Sequence, residues 1–257
     1  MKNSIVYVLV FMGIQAAASL VVAAVWKWVT GSPDTTIAQL ITITVVFSVI
    51  SLVVFLAARW AEVSPRWLRS RQWLVLFWSV IAALGAIVPS IFLQEQMPEL
   101  PNIAGEEFDM ILTNRWGYLS IGLLAPLAEE VVFRGAALRS LLSGNMKPWV
   151  AIAVSALLFA LAHMNPAQMP HAFAVGLLLG WMYWRTGSIL PGMAYHWANN
   201  SAAYLIYNVY PNPDIKLIDI FQGSQQHVWM ALGFSMLVLL PALFQLNAWM
   251  HRADERR

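Results

Sequence analysis

Three ionisable residues interrupt an apolar stretch near the middle of the chain. They are Glu129, Glu130 and Arg134, in the sequence Ala-Glu-Glu-Val-Val-Phe-Arg. In a lipid-buried helix, each such group costs roughly 2.5–3.5 kcal/mol near the bilayer centre. Glu130 and Arg134 are four residues apart, so on a helix they share a face and can form an ion pair. Glu129 is rotated by about 100° from Glu130, which leaves its carboxylate available as a general base or acid.

Two later apolar stretches carry further groups that suit proton transfer or hydrogen bonding. His163 follows Phe159 by one helical turn, and Asn200 follows His196 by one helical turn. Taken singly, each has an ordinary structural explanation, because buried histidines and asparagines often bridge membrane helices. Interhelical hydrogen bonds contribute well under about 2 kcal/mol on average, less than the cost of burying an ionisable group. The set as a whole therefore favours a catalytic centre.

The composition indicates that lipid is the main solvent of this chain. Hydrophobic residues make up 60% of its 257 residues and charged residues only 11%, with a mean hydropathy of +0.64. Soluble domains carry roughly 25% charged residues. The absence of cysteine excludes disulfides, thiolate metal sites and a cysteine nucleophile. The scattered basic residues and the lack of a phosphate-binding glycine loop argue against a nucleic-acid partner.

Apolar stretches near the length needed to cross a bilayer, about 20 residues, recur along the whole chain. They predict an all-α, polytopic protein of the cell membrane, with about eight transmembrane helices in a single integral domain, 1–257. The predicted spans are 4–26, 37–58, 73–94, 117–140, 148–164, 170–186, 189–208 and 228–250. His171 follows Pro170 at a predicted helix start, where we expect a surface role.

The basic residues predict which end of the bundle faces the cytoplasm, because cytoplasmic loops carry an excess of Lys and Arg. With eight spans and a cytoplasmic N-terminus, eleven cations fall on the cytoplasmic side and three on the other. The eleven are Lys2, Arg59, Arg66, Arg69, Arg71, Arg139, Lys147, Arg185, Arg252, Arg256 and Arg257; the three are Lys27, Arg115 and Lys216. Both termini are therefore expected in the cytoplasm.

The polar groups together resemble the motifs of a known family. Glu129-Glu130-x-x-x-Arg134, Phe159-x-x-x-His163 and His196-x-x-x-Asn200 are similar in order and spacing to those of the CaaX protease and bacteriocin-processing family. The best-known branch of that family is the Ras-converting type of prenyl protease. The resemblance covers the motif-bearing core, about 117–205.

This resemblance implies an eight-helix intramembrane glutamic endopeptidase that hydrolyses a peptide bond with an activated water. By carry-over, Glu129 would be the general base, assisted by His163. His196 and Asn200 would donate hydrogen bonds to the oxyanion, and Glu130, Arg134 and Phe159 would support the site. No cofactor is expected. The partners are the lipid bilayer and a membrane-associated peptide or protein, for which a prenylated CaaX C-terminus is one candidate.

Two other interpretations of the same residues stay open. Glu129, His163 and His196 form a two-histidine, one-glutamate set that would suit the zinc ion of a metalloprotease, although the chain has no His-Glu-x-x-His motif. Alternatively, the polar groups would serve a non-proteolytic transport or immunity protein. The absence of an inverted repeat argues against a transporter.

We expect the C-terminus to lie in the cytoplasm, because the predicted connections on its side of the membrane carry most of the cations. A reporter enzyme that is active only in the cytoplasm should therefore be active when it is fused to the C-terminus. A pair of fusions, one reporter active inside and one active outside, measures this in whole cells. Activity of the external reporter would contradict the predicted orientation.

Overall fold

The computed structural model describes residues 2–32, 34–144, 146–212 and 215–252. Within these residues the chain is helical and contains no strand. The helices are α1 (Lys2–Thr30), α2 (Ile37–Ala57), α3 (Pro65–Arg69), α4 (Trp73–Glu95), α5 (Gly105–Leu112), α6 (Ala125–Glu129), α7 (Arg139–Ser143), α8 (Pro148–Ala162), α9 (Met169–Thr186), α10 (Leu190–Val209), α11 (Leu217–Ile220) and α12 (Gln225–Trp249). Two π-helical segments, π1 (Tyr118–Leu124) and π2 (Glu130–Leu138), flank α6.

Local signals in the sequence explain where several helices begin and end. The Thr36 side chain accepts a hydrogen bond from the backbone N–H of Gln39 and caps α2, and Ser224 caps α12 in the same way through His227. Helices α8, α9 and α10 each carry a proline in their first turn, where a missing N–H costs nothing. Gly187 ends α9 with a φ of +66°, a conformation that favours glycine.

Each of the eight predicted spans coincides with helical structure. Among the residues that the structure describes, four helices, α1, α2, α4 and α12, are long and apolar enough to cross a membrane. The predicted span 117–140 corresponds to π1, α6, π2 and α7 in direct succession, and α8, α9 and α10 match the next three spans. Helix α8 has 15 residues, about 22 Å of rise, which is less than a full hydrocarbon thickness. Eight crossings therefore stay a prediction. Arg256, Arg257 and the side chain of Lys2 lie outside the described residues.

The helical rod from Tyr118 to Ser143 is the centre of the bundle. Its π1, α6 and π2 segments pack against α2, and π2 also contacts α1, α8 and α9. Helix α10 packs along π1 and α6. Every residue of π2 is buried, whereas α12 exposes large apolar side chains such as Phe234, Leu237 and Phe244 on its outer face. The motif-bearing rod is thus buried among α1, α2, α8, α9 and α10.

Side-chain hydrogen bonds tie the connections together at each end of the bundle. At one end, which we call the basic end, Arg139 pairs with Glu62, and Ser188 donates to the Val63 carbonyl. The Arg185 guanidinium donates to Asn247 at the same end.

The other end, which we call the α5 end, is joined by a second set of contacts. Asn165 binds Asn102 through its amide, and the Leu217 N–H donates to the Glu95 carboxylate. The Asn208 amide donates to the carbonyl of Leu112, the last residue of α5.

The contact of α4 with α12 generates a test of the packing. A Cβ atom on Gly85 of α4 would lie 2.8 Å from the backbone nitrogen of Leu239 in α12. We expect Gly85→Ala to lower the free energy of unfolding by about 1–3 kcal/mol through overpacking, measured as a lower melting temperature in detergent.

Gly233→Ala in α12 is the matched control, because a Cβ there meets nothing within 4 Å. It should leave the melting temperature unchanged or raise it slightly, since alanine favours helix by about 0.5–1 kcal/mol over glycine. Equal melting temperatures for the two variants would contradict this packing.

Candidate functional site

A buried ion pair anchors the site. The Arg134 guanidinium donates from Nη1 to Glu130 Oε1 at 2.7 Å, with the two side chains 1% and 0% exposed. This is the pair that the four-residue spacing predicts. Their neighbour Glu129 keeps 18% of its side chain exposed. Adjacent carboxylates therefore experience different surroundings, one sealed against a cation and the other open to a cavity.

The pair is held on several sides by close packing. The Arg134 guanidinium carbon lies 4.4 Å from the centroid of the Phe159 ring, a cation–π geometry. Its Nη2 donates to the Gly176 carbonyl at 3.4 Å. A Cβ on Gly192 would lie 2.5 Å from Glu130 Oε2, so only glycine allows α10 to approach the carboxylate this closely.

His196 lies between the two glutamates. Its Nδ1 is 3.2 Å from Glu130 Oε1, and its Nε2 is 3.5 Å from Glu129 Oε2. Since a carboxylate oxygen accepts hydrogen bonds, Nδ1 is the donor to Glu130. This contact fixes the orientation of the ring and directs Nε2 towards Glu129. The glutamate that pairs with arginine therefore also positions a histidine.

His163 is oriented by its own helix. Its Nδ1 lies 2.9 Å from the Phe159 carbonyl oxygen, which can only accept, so Nδ1 carries a proton and donates it. In the neutral ring Nε2 is then the free acceptor. The Phe159 ring meets both His163 and His196 edge-on, with centroids 4.8 Å and 5.8 Å away. Phe159 thus spaces the two histidines and covers Arg134.

The candidate catalytic residues line one cavity of about 650 Å³. Glu129, His163, His196 and Asn200 all contribute to its wall, whereas neither Glu130 nor Arg134 does. The geometry separates the seven motif residues into a group that faces the cavity and an ion pair behind it. Phe159 belongs to both, because it lines the cavity and covers Arg134.

Asn200 has fewer free hydrogen-bonding groups than the sequence suggests. Its amide nitrogen donates to the Ile121 carbonyl in π1 at 3.1 Å, and its oxygen accepts from the Asn199 amide at 3.2 Å. One N–H of the amide is thus used structurally, which leaves the second for a ligand. Asn199, which the sequence motif does not include, lines the same cavity.

The expected surface role of His171 is wrong. The side chain is half-buried and lines the cavity near the start of α9, together with Gln168 and Val175. These positions share one face of α9. Their orientation depends on how α9 packs against α8, and no local signal in the sequence reports that register.

The zinc interpretation finds no assembled ligand set in the structure. Across residues 2–32, 34–144, 146–212 and 215–252, no three His, Asp or Glu side chains are grouped so that they could hold a metal ion. Glu129, His163 and His196 share the cavity wall without forming such a group. The expectation that no cofactor is required stays a prediction.

The middle of the chain is similar to a known protein family. The model of the family "Type II CAAX prenyl endopeptidase Rce1-like" matches residues 111–202. The resemblance to the CaaX protease family is confirmed. The matched segment, residues 111–202, contains all seven motif residues and the segments π1, α6 and π2. No curated protein and no solved structure matches the chain.

The burial of the ion pair predicts a large effect of its removal. Arg134→Met would leave the Glu130 carboxylate buried without its cation, and we expect a loss of about 3–5 kcal/mol in the free energy of unfolding. Thermal unfolding of the purified protein in detergent measures this as a clear fall in melting temperature.

Arg139→Met is the matched control. Arg139 also pairs with a glutamate, Glu62, but the two side chains are 38% and 65% exposed. Exposed pairs contribute about 0–1 kcal/mol, so this variant should melt close to the wild type. If both variants melted alike, the stability of the protein would not depend on the buried Glu130–Arg134 pair.

Proposed function

We propose that this protein is an intramembrane glutamic endopeptidase in which Glu129 activates a water molecule to hydrolyse a peptide bond. The family match indicates a protease of the CAAX type. The observation that carries the glutamate mechanism is the division of the two carboxylates, with Glu129 in the cavity wall and Glu130 sealed against Arg134. A carboxylate that borders a cavity can take a proton from water, whereas a carboxylate held by a guanidinium cannot do so freely.

The reaction proceeds in two steps at the cavity wall. Glu129 takes a proton from water as the water oxygen attacks the scissile carbonyl carbon, giving a tetrahedral intermediate with a negatively charged oxygen. The proton then passes to the leaving nitrogen as the C–N bond breaks. A new carboxylate and a new amine result. His163, with Nε2 as a free acceptor, orients the water and assists the proton transfer.

His196 and Asn200 stabilise the oxyanion. Hydrogen-bond donors prepositioned around a developing oxyanion contribute roughly 2.7–4 kcal/mol each. The Nδ1 proton of His196 is used by Glu130, so the ring donates to the oxyanion from Nε2 in its doubly protonated form. Asn200 keeps one N–H beyond its bond to Ile121. Glu130 and Arg134 act as positioning residues, because they fix the helix that carries Glu129 and orient His196.

The substrate is a membrane-associated peptide or protein. The cavity wall carries amide and phenol groups, including Asn199, Tyr204 and Tyr207, which can hydrogen-bond an extended polypeptide backbone. A scaffold of eight membrane-spanning helices in the cell membrane would hold the site close to such a substrate. The mechanism requires no cofactor.

We expect Glu129→Gln to abolish cleavage while the protein retains its melting temperature. Glutamine has nearly the same shape but cannot take the proton, and loss of a general base costs about 10²–10⁴-fold in rate. His163→Ala should behave similarly, and Asn200→Ala should leave measurable activity because His196 still donates. Purified protein in liposomes, assayed on prenylated and unprenylated peptides, measures these rates.

Glu106→Gln is the control for the loss of a carboxylate. Glu106 is exposed on α5 and does not line the cavity, so this variant should cleave at the wild-type rate. Near-wild-type proteolysis by Glu129→Gln would contradict the proposed mechanism.

A further inference from the structure

The cavity that contains Glu129 lies mostly towards the α5 end of the bundle. On α1 and α10, the lining residues Phe11, Gln15 and His196 lie on the basic-end side of the helix midpoint. On α4, α8 and α9, all lining residues occupy the half nearer to the α5 end: they are Ile87, Ser90, Ile91 and Gln94 near the end of α4, Phe159, Ala162 and His163 at the end of α8, and Gln168, His171, Ala172 and Val175 at or just before the start of α9.

The remaining wall comes from the connections at the α5 end. Asn102, Asp109 and Leu112 line the cavity from α5 and the segment before it, and Asn212 and Ile215 line it from beyond α10. Asn102 and Asn212 are also exposed at the surface. No lining residue comes from the basic-end connections 58–72, 144–147 or 187–189, within the residues that the structure describes. The cavity therefore meets water at the α5 end.

The two ends of the bundle differ sharply in cationic residues. Hydrogen bonds between connections define each end independently of charge, as with Ser188–Val63 at the basic end and Asn165–Asn102 at the α5 end. The described residues at or beside the basic end include eight cations, and those at the α5 end include three. The eight are Arg59, Arg66, Arg69, Arg71, Arg139, Lys147, Arg185 and Arg252; the three are Lys27, Arg115 and Lys216.

We infer that the catalytic cavity opens to the non-cytoplasmic side of the membrane, so that the substrate is a polypeptide segment presented from outside the cytoplasm. Cations in short connections are retained in the cytoplasm, which places the basic end inside and the α5 end outside. This inference rests on the proposed function for its substrate, but its claim about access does not require cleavage.

The substrate class follows from the side of access. A lipid-modified tail that is made and kept in the cytosol would approach the basic end, where no described residue borders the cavity. An exported peptide, or the outer segment of a membrane-anchored protein, reaches Glu129 through the α5 end without crossing the bundle. The structure assigns this protein to extracytoplasmic substrates.

The absence of cysteine allows a direct measurement of access, since any introduced thiol is the only one in the chain. Ala203→Cys places a thiol in the cavity wall. Thr35→Cys places an exposed thiol near the α5 end, and Ser143→Cys places an exposed thiol near the basic end. Cells expressing each variant are treated with a membrane-impermeant maleimide, either intact or after disruption.

We expect Ala203→Cys and Thr35→Cys to be labelled in intact cells, and Ser143→Cys only after disruption. Labelling of Ala203→Cys only after disruption, or in neither condition, would overturn the inference, and so would labelling of Ser143→Cys in intact cells. These outcomes do not depend on catalysis. A failure of the proposed function would appear separately, as active Glu129→Gln protein.

A second readout connects access to catalysis. External maleimide should abolish cleavage of an externally added peptide by the Ala203→Cys variant and leave the Thr35→Cys variant unaffected, because only the first thiol lies in the cavity wall. Full activity of labelled Ala203→Cys protein would show that substrates reach Glu129 by another route and would overturn the inference.

Discussion

The buried ion pair between Glu130 and Arg134 is the constraint on which the site depends. Neither side chain reaches solvent, so each charge is tolerable only while the other is present. The pair requires close approach by Gly192, the ring of Phe159 and the carbonyl of Gly176. These contacts come from α8, α9 and α10, and one salt bridge thereby fixes the packing of all the helices that carry the motifs.

The same pair divides two chemically identical neighbours into different roles. Successive residues on a helix point about 100° apart, so Glu129 faces the cavity when Glu130 faces Arg134. Glu130 also accepts a hydrogen bond from His196, which brings the imidazole Nε2 to within 3.5 Å of Glu129. A structural carboxylate thus orients both the proposed base and a proposed oxyanion donor. The three ionisable groups, Glu129, Glu130 and Arg134, are costly to bury in this rod, and the same groups form or position the proposed catalytic site.

The positions of the helices and the Glu130–Arg134 ion pair can be predicted from the sequence, but the assembly of the site cannot. The length of the apolar stretches locates all eight predicted helical segments, and the four-residue spacing predicts the contact of Glu130 with Arg134. Helix length and residue spacing are properties of a single helix, so they can be inferred without knowing how the helices pack. The contact of His196 with Glu130, the bond from Asn200 to Ile121 and the place of His171 in the cavity wall depend on the register between helices. The π-helical form of the rod likewise has no simple local signature.

A paired measurement on Glu129→Gln and Glu130→Gln shows directly whether the two adjacent glutamates have separate tasks. Melting temperature and peptide cleavage are measured on both purified variants. We expect Glu129→Gln to melt like the wild type without cleaving. We expect Glu130→Gln, which leaves Arg134 buried and uncompensated, to melt at a much lower temperature yet retain some cleavage while folded. A stable, inactive Glu130→Gln beside an active Glu129→Gln would show that the roles of the two glutamates are assigned wrongly.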